Sequence, residues 1–114
     1  MANLTGAKKD LNGLYFEKHP DANIQYGIDF TDYLNASDNI STATVTIESI
    51  TGDASPLAFP TDAATDVTIS GDVVGIRLTN GTLGNIYNVD CKIVTTNGDT
   101  DSRRFRIVIG TKHL

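Results

Sequence analysis

The stretch from residue 86 to residue 109 constrains the fold more than any other part of the chain. "IYNVDCKIVTT" at 86–96 sets Tyr87, Val89, Cys91 and Ile93 against Asn88, Asp90 and Lys92. "RRFRIVI" at 103–109 answers with Phe105, Ile107 and Ile109 against Arg104, Arg106 and Val108. A period of two held over such lengths is the pattern of a strand buried on one face. Between the runs stands "NGDTD", and Asn-Gly accepts the positive φ that a tight turn demands, so the two runs form a hairpin. Clean alternation argues for sheets with one wet face, not for a parallel sheet buried on both sides.

The same period recurs upstream. "IQYGIDF" at 24–30 alternates Ile24, Tyr26, Ile28 and Phe30 with Gln25, Gly27 and Asp29. "TDYLNASDNI" reads as a short helical turn, or a loop with Tyr33 and Leu34 tucked inward. In "STATVTIESI" at 41–50, Val45 and Ile47 alternate with threonines, and Ile50 falls out of phase, which a bulge would explain. "TGDASPLAFPTDAAT" at 51–65 carries two prolines and is a loop or a broken edge strand. "DVTIS" offers Val67 and Ile69, and "VVGIRLT" offers Val74, Ile76 and Leu78 on one face. Six or seven short strands with Gly- and Asn-rich turns predict an all-β, antiparallel sandwich. At 114 residues it is one domain, large enough for a modest core without metal or disulfide support.

Residues 1–23 show neither period and end in a turn signal at Pro20-Asp21, so they read as an extended N-terminal arm preceding a domain at 24–114. Leu14, Tyr15 and Phe16 stand together in that arm, which a solvated tail would seldom carry. Docking on its own domain or on a neighbouring subunit accounts for them.

Charge and composition exclude several function classes. Nine basic against fourteen acidic residues give a formal charge of −5, which would repel a phosphate backbone, so no nucleic-acid partner is expected. Cys91 is the single cysteine and allows no intrachain disulfide. No apolar stretch has signal-peptide or membrane-spanning length, so no membrane partner is expected. The expected place is the cytosol of the producing cell, unless the protein leaves inside a larger particle.

Candidate catalytic and metal chemistry is thin. Asn97, Asp99 and Asp101 alternate as a calcium loop opens, but counting from Asn97 the sixth position is Ser102 and the twelfth Val108, where such a loop needs Gly and a bidentate acid. Both neighbours read as strands, so the hairpin is the better account. His19 and His113 are isolated, and one cysteine with two lone histidines makes no zinc set and no nucleophile–base pair. Cys91 shares its face with Tyr87, Val89 and Ile93 and is expected to be buried and inert. Asp29 with Asp32, and Asp99 with Asp101, are carboxylate pairs without a cleft to serve. "GTLG" at 81–84 lies between strands with no helix after it, so its glycines serve turns. No catalytic residue, cofactor or metal is expected.

Arg103, Arg104 and Arg106 remain. Arg104 and Arg106 point away from the core face beside Asp90 and Lys92, where a cross-strand pair with Asp90 is the plain account. A contact between subunits is the other, since Arg is enriched at interface centres.

Three stretches carry a resemblance. "YGIDFTDYLNASDNISTATVTI" is similar to a strand that ends in an Asp-aromatic pair, makes a short turn and opens the next strand. "GTLGNIYNVDCKIVTTNGDTDSRRFRIVI" looks like a Gly-x-x-Gly-x-x-Tyr-x-Val strand, a glycine turn and an Arg-x-Phe-x-Ile return, and "FEKHPDA" fits the approach to the first strand. Over about residues 16–110 the chain resembles small virion proteins of tailed bacteriophages, of the fiber-tail adaptor or Ig-like structural type. That resemblance implies an Ig-like sandwich of about seven strands, with Tyr87 packed at a strand start as an Ig-type tyrosine. It implies no catalytic residues, and it implies assembly in many copies against other virion proteins through exposed strands, loops and arms. A tail or fiber-attachment adaptor is the expected role, located in the virion. Leu14, Tyr15 and Phe16 would be anchors, and Arg103, Arg104 and Arg106 a polar contact. Capsid decoration is the neighbouring alternative. A carbohydrate- or receptor-binding module is a third, weakened by the absence of Trp.

Overall fold

The structure, a computed structural model, describes residues 3–4, 8–10, 13–31, 34 and 38–111. In chain order the strands are β1 (Asn3–Leu4), β2 (Lys8–Asp10), β3 (Gly13–Lys18), β4 (Ile24–Asp29) and β5 (Ile40–Ile47). A single helical turn, α1 (Ala63–Asp66), precedes β6 (Val67–Ser70), β7 (Val73–Leu78), β8 (Ile86–Thr95) and β9 (Thr100–Ile109). One sheet has the order β1-β4-β7-β6 and the other β2-β3-β9-β8-β5. All pairings are antiparallel except β3 with β9, which run parallel from Tyr15↔Arg106 to Lys18↔Ile109. The result is an all-β sandwich, antiparallel but for the β3–β9 pair, as the alternation predicts, and Ig-like, as the resemblance implies.

The core follows from that alternation. Tyr87, Val89, Cys91 and Ile93 of β8 and Phe105, Ile107 and Ile109 of β9 are at most 2% exposed. They meet Tyr26 and Ile28 of β4, and Val74, Ile76 and Leu78 of β7, from the facing sheet. Each such side chain contributes on the order of 2 kcal/mol by leaving water. Phe16 of β3 joins them, its ring 4.6 Å from that of Tyr26 and 5.8 Å, edge-on, from that of Phe105.

Local expectations change at Ile24, Ile50 and Ile69: Ile24, read as core-facing, is 46% exposed at the start of β4. The register irregularity of β5 falls between Ile40 and Thr42, not near Ile50. The strand ends at Ile47, and Ile50 is an exposed residue of the turn that follows. Ile69 is 41% exposed because β6 is a sheet edge with nothing beyond it among the described residues. The 51–65 segment is a loop pinned by an isolated bridge between Ala58 and Thr79 and closed by α1, whose start is capped by Asp62 accepting from the Thr65 amide at 2.6 Å. Leu34 packs against the core, whereas Tyr33 lies outside the described residues.

The hairpin between β8 and β9 is a three-residue loop. The Thr95 amide donates to Asp99 O, the Gly98 amide to Thr95 O, and Gly98 has φ of 89°. That is a tight turn closed by a left-handed residue, a conformation glycine adopts without penalty. Its tip is tied to the opposite loop by the buried Asp38, whose Oδ1 accepts from Thr96 Oγ1 at 2.6 Å and from the Asn97 amide at 3.2 Å.

At the other end of the sandwich, Tyr87 fixes the β7–β8 connection to the 51–65 loop. Its hydroxyl donates to Asp53 and accepts from the Thr82 amide at 3.0 Å, and Thr82 Oγ1 donates to the other oxygen of the same carboxylate. A tyrosine at the start of this strand, bonded back to the loop it leaves, is the corner device of Ig-type sandwiches.

The hydrogen bonds from Thr96 to Asp38, and from Thr82 and Tyr87 to Asp53, hold both carboxyl groups below the ordinary carboxylate value of 3.8. Folded-state values below the unfolded one mean that these groups stabilise the fold above the ordinary range. That contribution is lost as pH falls through the folded values. The melting temperature should therefore be level from pH 7 to about pH 5 and drop steeply below about pH 4. Asp38→Asn should flatten part of that drop in melts followed by circular dichroism; an unchanged acid limb would remove Asp38 from the account.

Candidate docking surface

The outer face of the five-stranded sheet gathers Tyr15, Arg104 and Arg106, three of the six contact residues singled out above. Side chains that alternate away from the core stand there: Tyr15 and Glu17 of β3, Arg104, Arg106 and Val108 of β9, and Ile86, Asn88, Asp90 and Lys92 of β8. The register sets Arg104 opposite Asp90, and Arg106 between Tyr15 and Asn88.

Arg104 makes a two-pronged pair with Asp90, Nε to Oδ1 at 2.7 Å and Nη2 to Oδ2 at 3.0 Å. Glu48, just past the end of β5, reaches the same guanidinium at 3.6 Å. The two acids raise the Arg104 pKa further above its ordinary value, through hydrogen bonding to Asp90 first, so the charge is permanent. All three side chains keep at least a third of their surface in water, where such pairs orient side chains more than they stabilise the fold. The Arg106 guanidinium carbon lies 5.2 Å from the centre of the Tyr15 ring, within cation–π range. Arg103 differs from its neighbours. It alternates to the core side at the sandwich margin, where its Nη1 turns back to Asp101 Oδ1 at 2.7 Å and to the Ser102 carbonyl at 3.0 Å.

Phe16 faces the core at 5% exposure, so its ring serves the fold and is not available to a neighbour. Alternation places Tyr15 on the opposite face, half-buried under Arg106. The Leu14 side chain lies outside the described residues, although its backbone pairs with Lys9.

Two apolar residues of this end were not anticipated. Ile86 is 51% exposed and stands opposite Val108 on the outer face, and Leu83 is 59% exposed in the loop just before β8. That loop is held rigidly: the Gly84 amide donates to Ile109 O and the Ile109 amide to Asn85 O. A sequence signal existed, since Ile86 shares the parity of the polar residues Asn88, Asp90 and Lys92.

The groups able to act as nucleophiles or bases are placed otherwise. Cys91 is in the core, and burial pushes its thiol up to about 12. His19 Nδ1 accepts from the Asp21 amide at 3.0 Å in the turn after β3. The face can thus offer a guanidinium row, a ring and an apolar margin to another surface, which is the chemistry of adhesion.

No curated protein matches the chain. A family model described as podophage GP4 fiber-tail adaptor protein gp77 matches residues 18–108, from the last residue of β3 almost to the end of β9. With that match over most of its length, taking in the strands β4 to β9, the chain belongs to the podophage GP4 fiber-tail adaptor family.

Proposed function

We propose that this protein is a non-enzymatic adaptor of the virion, docking to tail and fiber proteins through the outer face of its five-stranded sheet. The observation that carries the reading is the exposed Ile86 on the face that bears Arg104 and Arg106, with the exposed Leu83 in the loop just before β8. Interface centres favour Arg and aromatic residues with apolar neighbours, and Tyr15, Arg106 and Ile86 supply that set. The family description supports tail attachment over capsid decoration. Residues 1–23 act in this reading as an arm whose described strands β1, β2 and β3 are laid onto the domain's own two sheets, with 24–114 as the body of the adaptor.

The test is made on particles. Virions assembled without this protein should keep filled heads and lack fibers, and wild-type protein supplied in trans should restore them. Particles that retain a full complement of fibers would overturn the reading. Ile86→Asp should leave the melting curve within about 0.5 kcal/mol of the parent, as exposed substitutions do, yet reduce incorporation into particles at least tenfold. Incorporation at the parental level would move the docking surface elsewhere on the molecule.

A further inference from the structure

We propose that β5 is a strand-addition edge and that its occupant is β5 of a second copy of this chain, paired antiparallel about a two-fold axis at Thr44. The inference takes its setting in the particle from the adaptor reading, but its evidence is the edge itself.

Among the described residues β5 pairs with β8 alone and ends its sheet. It is eight residues long, about 27 Å at the rise of an antiparallel strand. Its sequence, "ISTATVTI", contains no charge, no proline and no glycine, and six of the eight residues are β-branched. Sheet edges in soluble proteins are kept from pairing by shortness, charge or proline. The other edges here follow that rule or come close. β1 has two residues, β2 has three and reads Lys8-Lys9-Asp10, and β6 has four. Only β5, among the described edges, is long, and past its irregularity at Ile40/Thr42 its run Thr42–Ile47 is unguarded.

The sandwich is also open on this side. Ala43 and Ile47 alternate with Thr44 and Thr46, pair with the buried Ile93 and Val89, and remain only partly buried. β6 lies beside β5, with Val67 partly buried and Ile69 41% exposed. A strand added to β5 would continue the sheet and cover that seam, giving its unpaired amides and carbonyls partners.

Charge selects the occupant and the direction. A chain with a formal charge of −5 repels its own copies over most approaches. The uncharged β5 edge is the long edge at which two copies meet without that penalty. Parallel pairing would stack the two Glu48 carboxylates that follow the strand, whereas antiparallel pairing sends them to opposite ends. Paired residues must share a face, so the axis falls on a residue and not between two. With Thr44 on the axis, Thr42 of each copy meets Thr46 of the other, setting hydroxyl against hydroxyl, and Ala43 meets Val45 on the core side. One strand pair buries less than the roughly 1,600 Å² of a standard stable interface. The contact is therefore weak in dilute solution and is completed by the high effective concentration of copies held on a particle.

The register makes a sharp test. In the otherwise natural chain, whose Cys91 is buried, Thr44→Cys places two thiols across the axis, whereas Thr46→Cys places them four residues apart along the pair. Under mild oxidation Thr44→Cys should trap disulfide-linked dimers at least tenfold more than Thr46→Cys. In sedimentation at about 1 mM, a concentration like that of tethered copies, the natural chain should self-associate and Thr44→Lys should abolish this without shifting the melt. Equal trapping at both positions, no trapping, or a natural chain monomeric at that concentration would each overturn the proposal. Because the measurement uses purified protein, such a failure leaves the fiber phenotype of the particles, and the adaptor reading, intact.

Discussion

Tyr87→Ala should lower stability by about 4 kcal/mol, the largest effect of any single substitution considered, and Tyr87→Phe should lower it by about 2 kcal/mol. The two numbers separate the ring from the hydroxyl. The ring is 1% exposed at the start of β8 and packs in the core, so its removal leaves a cavity that rigid strands cannot fill. The hydroxyl joins Asp53 of the 51–65 loop to the Thr82 amide, with Asn85 Nδ2 at 3.4 Å. Phenylalanine keeps the packing but leaves the Thr82 amide without its acceptor and takes from Asp53 one of its donors, and part-buried groups left without partners are expensive. Chemical denaturation with the slope held in common would measure both. A Tyr87→Phe variant as stable as the parent would show that water replaces the hydroxyl and that the corner is held by packing alone. The Phe variant should also release the 51–65 loop, seen as faster proteolysis there than in the parent.

The legible part of this molecule was the part governed by a period of two. β8, β9, β7 and β4 are visible as alternations, and apart from Ile24, which is 46% exposed at the start of β4, the alternation picks out their core-facing side chains, because a strand between water and a core has only two sides. The Asn97-Gly98 turn and the Arg104–Asp90 pair follow from that register. What the sequence did not show was contact between segments far apart in the chain. β3 reads as part of an arm, since its own six residues have too little pattern. Only its parallel pairing with β9, some ninety positions away, makes Phe16 a core residue and Tyr15 a surface one. The Tyr87 corner is similar: the resemblance placed the ring, but Asp53 lies in a loop that no periodicity describes. Ile86 differs for the opposite reason, being an apolar residue at a position where the pattern predicts a polar one, and Leu83 lies in the loop before β8, which no period covers.

Lys18 is the residue whose behaviour the sequence predicts worst, and Lys18→Ala should reduce stability by about 3 kcal/mol. It ends β3 at 1% exposure, and its ammonium donates to Asn80 O at 2.6 Å and to His19 O at 2.9 Å. Those carbonyls belong to two separate loops, and Asn80 is held at φ of 64°, with Gly81 after it at 108°. A side chain on Gly81 would meet Ile109 Cδ1 at 2.5 Å, so the β7–β8 loop presses on the end of the core just where the lysine clasps it. Alanine removes the apolar stem and both hydrogen bonds; Lys18→Met keeps the stem and should lose about 2 kcal/mol. The pH dependence gives a second readout. Burial lowers the Lys18 pKa from its ordinary 10.5, with Asp21 opposing the shift. A folded value below the unfolded one means that the unfolded chain holds the proton more tightly, so this group's contribution to stability rises with pH from the folded value up to 10.5. Cys91 and Tyr26 work the other way. Burial raises them from 9.0 and 10.0 to about 12, so their contribution falls as pH climbs past their unfolded values. The parent should therefore lose stability above about pH 9 less steeply than Lys18→Met, which keeps the two opposing groups and lacks the ammonium. Parallel alkaline limbs in the two proteins would show that Lys18 keeps its ordinary affinity for the proton, and its clasp would then be that of a solvated lysine.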